Sequence, residues 1–343
     1  MTERLDRPPQ APSSSQLREL LLASLDAHLD GARRVAILDF PDHGNVGDSA
    51  IWLGERQALD ALGVEVVYAC SCDTYDRGAL VRRLGRTGVV LLHGGGNFGD
   101  LYPRHQAFRE HVLDDLTEHA VVQLPQTVWF DRPERLERTR AVVSRHGRFS
   151  MLVRDQASAE LARAVAPGEV SICPDPATAL SLTPTRSPAA DLLWLLRADK
   201  EAPARHGRIT DDPHAVWADW PGDPLPTRAR VWATRQAGRL TTRAALPPTV
   251  WTSDPDTWDA RARARLDRGL ALLSSARVVV TDRLHGHILS DLLDLPHVML
   301  DNSYGKMASY TRTWGITPGR SRLVDDLQQA DRAARDLLPA GGG

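Results

Sequence analysis

The sequence predicts an α/β fold built from two domains, each with a parallel sheet covered by helices. Short apolar runs, each of the length of a buried strand, recur at regular intervals, and helical patterns lie between them. A stretch rich in proline, serine and threonine, Ser181–Asp191, divides the series in two. The length of 343 residues also favours two domains over one.

The first domain is predicted to span residues 16–180, after a polar N-terminus (1–15) that we expect to be disordered. Leucines at helical spacing predict a first helix over Gln16–Leu29. Six strands are predicted: Val35–Leu38, Val64–Tyr68, Val89–Leu92, Val121–Leu124, Met151–Val153 and Val170–Cys173. Helical patterns between them include Ala50–Leu62 and Gln106–Glu118.

The second domain is predicted over residues 192–315, after the linker 181–191. Its predicted strands are Leu192–Leu196, Val231–Ala233, Thr249–Trp251, Val278–Thr281 and His297–Leu300. Helices are expected at Asp256–Leu273 and His285–Leu293, and residues 202–228 read as a surface insertion. Residues 316–343 are expected to hold a last helix, near Asp325–Leu338, and a glycine-rich tail.

Composition narrows the class of protein. The formal charge of −2 argues against a nucleic-acid binder. Nearly all positive charge is arginine, which reflects either a codon bias or anionic substrates held by guanidinium groups. Three cysteines make no disulfide framework, no apolar run approaches the ~20 residues of a membrane span, and the polar N-terminus is no signal peptide. We expect a cytoplasmic protein, with peripheral contact at the inner face of the membrane left open.

The segment Asp39–Glu55, DFPDHGNVGDSAIWLGE, follows a strand and opens a helix. Gly44 and Gly47 permit a close approach of a ligand to the backbone, and the helix N-terminus would offer N–H groups to an anion. Asp48 or Ser49 is expected to cap the helix. The spacing matches neither a P-loop nor a dinucleotide fingerprint. An ordinary capped turn explains this segment equally well.

The segment LLHGGGNFGDLYP places Gly94, Gly95 and Gly96 directly after a strand. Ligands of open α/β sheets bind outside the carboxyl ends of strands, so a binding role for this loop is favoured over a ligand-free strained turn. His93, Asn97 and Asp100 flank the glycines. Gln126, after the next strand, gives a weaker signal of the same kind.

The second domain carries the strongest cluster, VVVTDRLHGHILSDLLDLP. Asp282, Arg283, His285 and His287 crowd a strand-to-helix junction. Arginine offers a fork for phosphate or carboxylate, and histidine exchanges protons near neutral pH. Arg197 ends an earlier strand and needs an anionic partner, either a protein carboxylate or a ligand. Further polar residues follow the next strand: Asp301, Asn302, Ser303, Tyr304 and Lys306.

Taken in order, these motifs resemble the polysaccharide pyruvyl transferase family over about Val35–Trp314. The residues that carry the resemblance are N-V-G-D-S, H-G-G-G-N-F-G-D, L-P-Q-T, R-D, P-D-P-A, L-L-R-x-D, T-D-R-L-H-G-H and D-N-S-Y-G-K. The resemblance implies a GT-B-like fold of two Rossmann-like domains facing a central cleft. It also implies phosphoenolpyruvate as donor, and a saccharide or lipid-linked saccharide as acceptor. The product is a pyruvate ketal, and phosphate is released.

The resemblance also implies roles for individual residues, with Arg283 and His285 as the donor-contacting pair and Arg197 as the L-R-x-D arginine. The expected catalytic set is His285, Asp282 and Asp48. The expected donor-binding set is Arg283, Arg197, Gly44, Asn45, Gly47 and Lys306. The expected cleft or acceptor set is Gly94, Gly95, Gly96, Asn97, Gln126 and Asn302. We expect no metal and no cofactor beyond phosphoenolpyruvate as co-substrate.

Two alternatives share this architecture. A nucleotide-sugar glycosyltransferase would use the same arginines and glycine loop, but it also needs a base-stacking and ribose-binding site, of which the sequence gives no clear sign. A non-catalytic saccharide-binding protein would not need the Arg/His set, which is present. An NAD-dependent oxidoreductase is disfavoured because the dinucleotide fingerprint is absent.

Overall fold

The computed structural model describes residues 9–166, 168–198, 212–244, 253–301 and 305–339, with the backbone alone for 238–244. The chain divides into two compact units. The first unit comprises Leu17–Leu180 and Gly222–Leu266, and the second comprises Met1–Gln16, Ser181–Pro221 and Asp267–Gly343.

The first unit contains a parallel sheet of order β2-β1-β3-β5-β6-β7, with β4 paired to β5. Its strands are β1 (Arg34–Leu38), β2 (Glu65–Cys70), β3 (Val89–Leu92), β4 (Gly95–Gly99), β5 (Ala120–Trp129), β6 (Phe149–Val153) and β7 (Glu169–Ile172). Its helices are α1 (Ser14–Leu29), α2 (Val46–Ala61), α3 (Arg77–Leu84), α4 (Pro103–Asp115), α5 (Pro133–His146), α6 (Gln156–Val165) and α7 (Leu225–Ala244). A short 3₁₀ helix spans Pro176–Ala179, and α8 (Pro255–Leu273) begins in this unit.

The central strands of this sheet are apolar because helices cover both of their faces. Every residue of β3 is buried, and so are four of the five residues of β1. One core joins Leu38 and Leu92 to Phe108 and Val112 of α4. Parallel strands buried on two faces read as continuous apolar runs, which is why the sequence revealed them.

The second unit contains a smaller parallel sheet of order β12-β11-β10-β8-β9. Its strands are β8 (Ala190–Leu195), β9 (Ala215–Ala218), β10 (Ala276–Thr281), β11 (His297–Leu300) and β12 (Ser321–Val324). Its helices are α9 (Leu284–Leu292), α10 (Lys306–Trp314) and α11 (Leu327–Leu337). Trp194, Val280 and Val298 pack against Ala330 and Ala334 of α11. The predicted fold class, α/β with two Rossmann-like parallel sheets, is confirmed.

Some predicted elements are wrong. Val231–Ala233 lies inside α7 and is not a strand: Val231 and Thr234 are buried, whereas Trp232 is 65% exposed, which is helical periodicity. The predicted insertion 202–228 contains β9. The predicted strand Thr249–Trp251 lies outside the described residues.

The N-terminal segment also departs from its prediction. Gln10 forms an isolated parallel bridge with Ile316, and α1 begins at Ser14, so residues 9–15 are ordered against the second unit. The described helices include none that is long and apolar enough to cross a membrane.

The boundaries of the two units differ from the predicted domain boundaries in the placement of one large segment. The division at Ser181 coincides with the predicted linker. Residues 222–266, which the sequence analysis assigned to the second domain, belong by their contacts to the first unit. Arg265 of α8, for example, donates to both Asp223 and the Pro41 carbonyl of the first unit.

Candidate functional site

Two sequence motifs meet at the carboxyl ends of β1 and β3 in the first unit. In the strand order β2-β1-β3, the chain runs from β1 to β2 on one side and then to β3 on the other side of β1. Open α/β sheets bind ligands at such a point, where the strand order reverses. The His93 N–H donates to the Leu38 carbonyl over 3.0 Å. A Cβ on Gly95 would lie 3.6 Å from the Asp48 carboxylate, so the glycine loop adjoins the start of α2.

Asn45 caps α2, and the predicted capping role of Asp48 or Ser49 is wrong. The Asn45 side chain accepts a 2.9 Å hydrogen bond from the Gly47 N–H. Asp48 lies within the first turn and is 3.6 Å from His43. Gly44 allows a close backbone approach, because a Cβ there would lie 3.2 Å from the Asp223 nitrogen.

The glycine loop needs two of its glycines for different reasons. Gly95 has φ +123°, a conformation that side chains rarely adopt. Gly94 is in close contact with its surroundings, since a Cβ would lie 2.7 Å from the Pro125 carbonyl oxygen. Gly96 belongs to β4. The loop therefore runs directly against the middle of β5.

Asn97 and Gln126, both predicted to bind the acceptor, hydrogen-bond to each other. The Gln126 amide accepts from the Asn97 N–H at 3.1 Å and donates to the His93 carbonyl at 3.0 Å. The Asn97 side-chain oxygen accepts from Gln126 and, at 2.6 Å, from buried Arg109. These bonds fix the loop, and an acceptor role for the two amides stays a prediction.

A buried carboxylate–imidazole pair lies beneath the loop. His93 Nδ1 is 2.8 Å from Glu55 Oε2, and the two side chains are 2% and 1% exposed. The other Glu55 oxygen accepts from the Gly94 N–H at 2.8 Å. Burial raises the pKa of Glu55. Burial alone would lower the pKa of His93, but Glu55 outweighs it and raises that pKa above its ordinary value.

Asp39, directly after β1, is the centre of a second buried cluster that the sequence did not reveal. It adopts φ +72° and lies 2.7 Å from His105 Nδ1 and 2.9 Å from Arg109. The Cys72 thiol donates to it over 2.8 Å. Burial opposes ionisation of Asp39, but His105 and Arg109 prevail and hold its pKa well below its ordinary range. Burial and Asp39 raise the pKa of Cys72, so this thiol stays protonated.

Arg154 and Asp175, at the ends of β6 and β7, form a fully buried ion pair. Arg154 donates to Asp175 over 2.6 Å, and both side chains have no exposed surface. Arg154 also donates to the Thr127 hydroxyl at 2.7 Å. Asp155, the next residue, caps α6 by accepting from the Ser158 N–H.

In the second unit, the predicted residues at the ends of β8 and β10 come together. The Arg197 N–H donates to the Asp282 carboxylate at 2.9 Å. Arg283, 7% exposed, directs its guanidinium fork onto Asp219 with distances of 2.5 and 2.6 Å. Asp219, at the end of β9, was not predicted. It also accepts from the Ala198 N–H at 3.0 Å, so one carboxylate joins the loops after β8, β9 and β10.

His285 lies in the first turn of α9, half-buried, two residues after Arg283. Gly286 lets this helix approach β10, because a Cβ there would lie 2.3 Å from the Thr281 hydroxyl. Lys306 is the first residue of α10, and the N–H groups of the next two residues, Met307 and Ala308, donate to Asp301. Asn302, Ser303 and Tyr304 lie outside the described residues.

Folding also creates two three-residue groups that could hold a metal ion, although the sequence shows no metal-ligand spacing. They are Asp39, Cys72 and His105 in the first unit, and His287, Asp291 and His297 in the second. In the latter, His287 Nδ1 lies 2.8 Å from His297 Nε2. Burial lowers the pKa of His287 to about 4 and also lowers that of His297, so both rings are neutral at pH 7.

The chain is similar to known proteins over nearly its whole length. It is 33% identical to "Pyruvyl transferase 1" of Schizosaccharomyces pombe over 326 residues, which cover 91% of this chain and 78% of that protein. It is 31% identical to "Putative pyruvyl transferase EpsO" of Bacillus subtilis over 330 residues, which cover 96% of this chain and 98% of that protein.

A solved structure supports the fold. The crystal structure of protein KP1_0663 from Klebsiella pneumoniae aligns with a TM-score of 0.55 at 16% identity, covering 86% of this chain and 92% of that one. Residues 45–304 match the family described as "Polysaccharide pyruvyl transferase". They include the α2 N-terminus, the glycine loop and the Arg283–His285 junction. The chain therefore belongs to the polysaccharide pyruvyl transferase family.

Proposed function

We propose that the protein transfers the enolpyruvyl unit of phosphoenolpyruvate to two hydroxyls of a saccharide, forming a pyruvate ketal and releasing phosphate. The observation that carries this proposal is the position of Arg283. A buried guanidinium stands at the carboxyl end of β10, two residues before a half-buried histidine, and a carboxylate holds its fork. Family membership supports pyruvyl transfer, and the donor and the ketal are our proposal.

Phosphoenolpyruvate carries a phosphate and a carboxylate, so its site needs cations with directed N–H groups. We assign Arg283 and Arg197 to these two anionic groups, and Lys306 to further charge compensation. Asp219 holds the Arg283 guanidinium in one orientation, which lowers the entropic cost of placing it against a ligand. We also assign Gly44, Asn45 and Gly47 to the donor, because a helix N-terminus offers N–H groups to an anion.

The proposed reaction has two stages. In the first, His285 protonates the methylene carbon C3, the C2=C3 π bond breaks, and one sugar hydroxyl bonds to C2 and gives up its proton, which restores the acid. In the second, the C2–O bond to phosphate breaks, the neighbouring hydroxyl bonds to C2 to close the ketal, and its proton leaves with the phosphate. Asp282 holds the loop of Arg197. Asp48 and the glycine-loop residues are assigned to the acceptor.

The remaining partners are proposals of the same kind. The acceptor is a saccharide, either free or lipid-linked, and the reaction takes place in the cytoplasm or at the inner face of the membrane. Phosphoenolpyruvate is the only small-molecule co-substrate that the proposed reaction requires.

The test is turnover of phosphoenolpyruvate with methyl glycosides of common hexoses as acceptors. We expect release of inorganic phosphate together with a new methyl signal of a pyruvate ketal in the proton NMR spectrum. In thermal-shift titrations, phosphoenolpyruvate should raise the melting temperature of the wild type, because a ligand of the folded state stabilises it. Arg283→Ala should lose this response.

Arg277→Ala is the matched control. Arg277 lies in β10, the strand that precedes Arg283, and pairs with Asp191 at the surface, where it is half exposed. It should keep both the response and the turnover. Stabilisation by nucleotide sugars with none by phosphoenolpyruvate would replace the proposal with the glycosyltransferase alternative.

A further inference from the structure

The Nε2 atom of His93 is buried and, within the part of the chain that the structure describes, has no hydrogen-bond partner. A buried polar atom left without a partner is unfavourable, so it calls for an explanation. His93 follows β3 at the switch point of the first sheet, between the end of β1 and the glycine loop. This is where the fold places a ligand.

The other ring nitrogen of His93, Nδ1, has a carboxylate partner. Glu55 Oε2 lies 2.8 Å from His93 Nδ1, and Glu55 Oε1 is held by the Gly94 N–H. A carboxylate on Nδ1 fixes the tautomer that carries its proton on Nδ1. The lone pair of Nε2 is then available to accept a proton, which is the arrangement that activates a hydroxyl nucleophile in hydrolases.

The proposed reaction needs such an acceptor. Two hydroxyl protons leave the saccharide. One replaces the C2=C3 π bond as the third hydrogen on C3, and the other ends on the released phosphate. His285 delivers the first, and a second group that removes the proton from the attacking hydroxyl as its oxygen bonds to C2 allows both proton transfers to occur in one step.

We propose that His93, oriented by Glu55, is the general base that takes the proton from the attacking saccharide hydroxyl. This assignment rests on the proposed function. It places the acceptor hydroxyl against Nε2 of His93, beside Asp48 and the glycine loop.

The charges around His93 define the pH dependence. Glu55 and Asp48 of α2 and Asp39 after β1 all favour the protonated imidazole and raise its pKa. A base must be deprotonated to act, so kcat should rise with pH through the pKa of His93, above the ordinary value for histidine. Replacing Glu55 with glutamine removes the strongest of these charges and should move this rise to lower pH.

The experiment compares His93→Gln with His119→Gln, using phosphoenolpyruvate and the best methyl glycoside acceptor. His119 is a matched control: it is 1% exposed in the same unit, and its ring bonds the Gly85 carbonyl instead of a carboxylate pair. We expect His93→Gln to lose about 10²–10⁴-fold in kcat, as for a general base, with thermal-shift binding of phosphoenolpyruvate retained. His119→Gln should keep kcat per folded molecule.

The outcomes distinguish failure of the general-base role of His93 from failure of the proposed pyruvyl transfer. A wild type that turns over no phosphoenolpyruvate overturns the proposed function and this role together. An active wild type with kcat of His93→Gln within about threefold overturns the role alone. If His93→Gln does not fold, Glu55→Gln decides: a shifted pH profile supports the general base, and an unchanged profile rejects it.

Discussion

Arg154 and Asp175 join the ends of β6 and β7 through a 2.6 Å hydrogen bond between two side chains with no exposed surface. Neither charge has access to solvent, so each depends on the other. Removing one member of such a pair leaves an uncompensated charge in the interior.

Asp175→Asn should therefore lower the free energy of unfolding by about 3–5 kcal/mol. Chemical denaturation followed by circular dichroism measures this change. The control is Asp336→Asn, since Asp336 pairs with Arg322 at the surface, where the two side chains are 66% and 41% exposed. That variant should change the stability by no more than about 1 kcal/mol. Equal losses in the two variants would contradict the dependence on burial.

Replacing either of two helical glycines with alanine should change the stability of the protein, but in opposite directions. A Cβ on Gly54 of α2 would lie 2.0 Å from the Pro176 carbonyl oxygen, which is backbone and cannot move aside. Gly54→Ala should cost about 1–3 kcal/mol or more. Gly78 of α3 is exposed, and a Cβ there would meet only side-chain atoms, the flexible end of Arg82 at 3.1 Å and the Asp76 carboxylate at 3.4 Å, so Gly78→Ala should stabilise by about 0.5–1 kcal/mol. A lower melting temperature for Gly54→Ala and a higher one for Gly78→Ala, relative to the wild type, would confirm the difference. A lower melting temperature in both variants would refute it.

Arg283→Lys tests the guanidinium fork rather than the charge. Lysine keeps one positive charge but loses the two parallel N–H bonds that reach Asp219 and, by our proposal, the donor. The loss of one charge-assisted hydrogen bond, about 1.5–3 kcal/mol, should lower kcat/KM for phosphoenolpyruvate by about 10–150-fold. Arg277→Lys is the comparison, and it should keep the wild-type value. A variant at position 283 that also keeps it would show that charge alone suffices.

The His287–His297 pair should make the protein sensitive to mild acid. The folded pKa of His287 is about 4, below its ordinary value of 6.5. Between these values the unfolded chain binds more protons than the folded one, so stability falls as the pH is lowered from about 6.5 to about 4. The shift corresponds to about 3 kcal/mol for this one ring. His287→Asn should flatten the dependence of the melting temperature on pH between 7 and 5, and parallel curves would contradict the assignment.

The strands that the sequence predicted best are those buried on both faces. β1, β3, β8 and β10 read as apolar runs because most of their residues are buried, while Arg34 of β1 and Arg277 of β10 are exposed. β9 was missed because its residues are half-buried or exposed, and β4 because three of its five residues are glycine. Apolar patterning reports burial, so a strand that is not buried leaves no pattern.

The sequence predicted the site residues that directly follow strands, but not the distant residues to which they hydrogen-bond. Arg283, Asp282 and Arg197 were found because they follow strands, and open α/β sheets bind ligands outside the carboxyl ends of their strands. Asp219 lies 64 residues before Arg283, in a stretch read as an insertion, and nothing local indicates that its carboxylate holds that fork. The same is true of Glu55 and His93, which are 38 positions apart in the sequence. Pairs of this kind follow from the order of strands in the sheet, which apolar patterning does not reveal.

The first unit is assembled from two separate stretches of chain, and this bears on its synthesis. Residues 17–180 emerge from the ribosome first, without the segment 222–266 that belongs to the same unit. Until that segment arrives, Phe40 lacks the ring of Trp258, and the carboxylate of Asp42 lacks Arg261 and Arg265. We therefore expect the N-terminal half to remain incomplete during translation, and to depend on chaperones until some 90 further residues have been added.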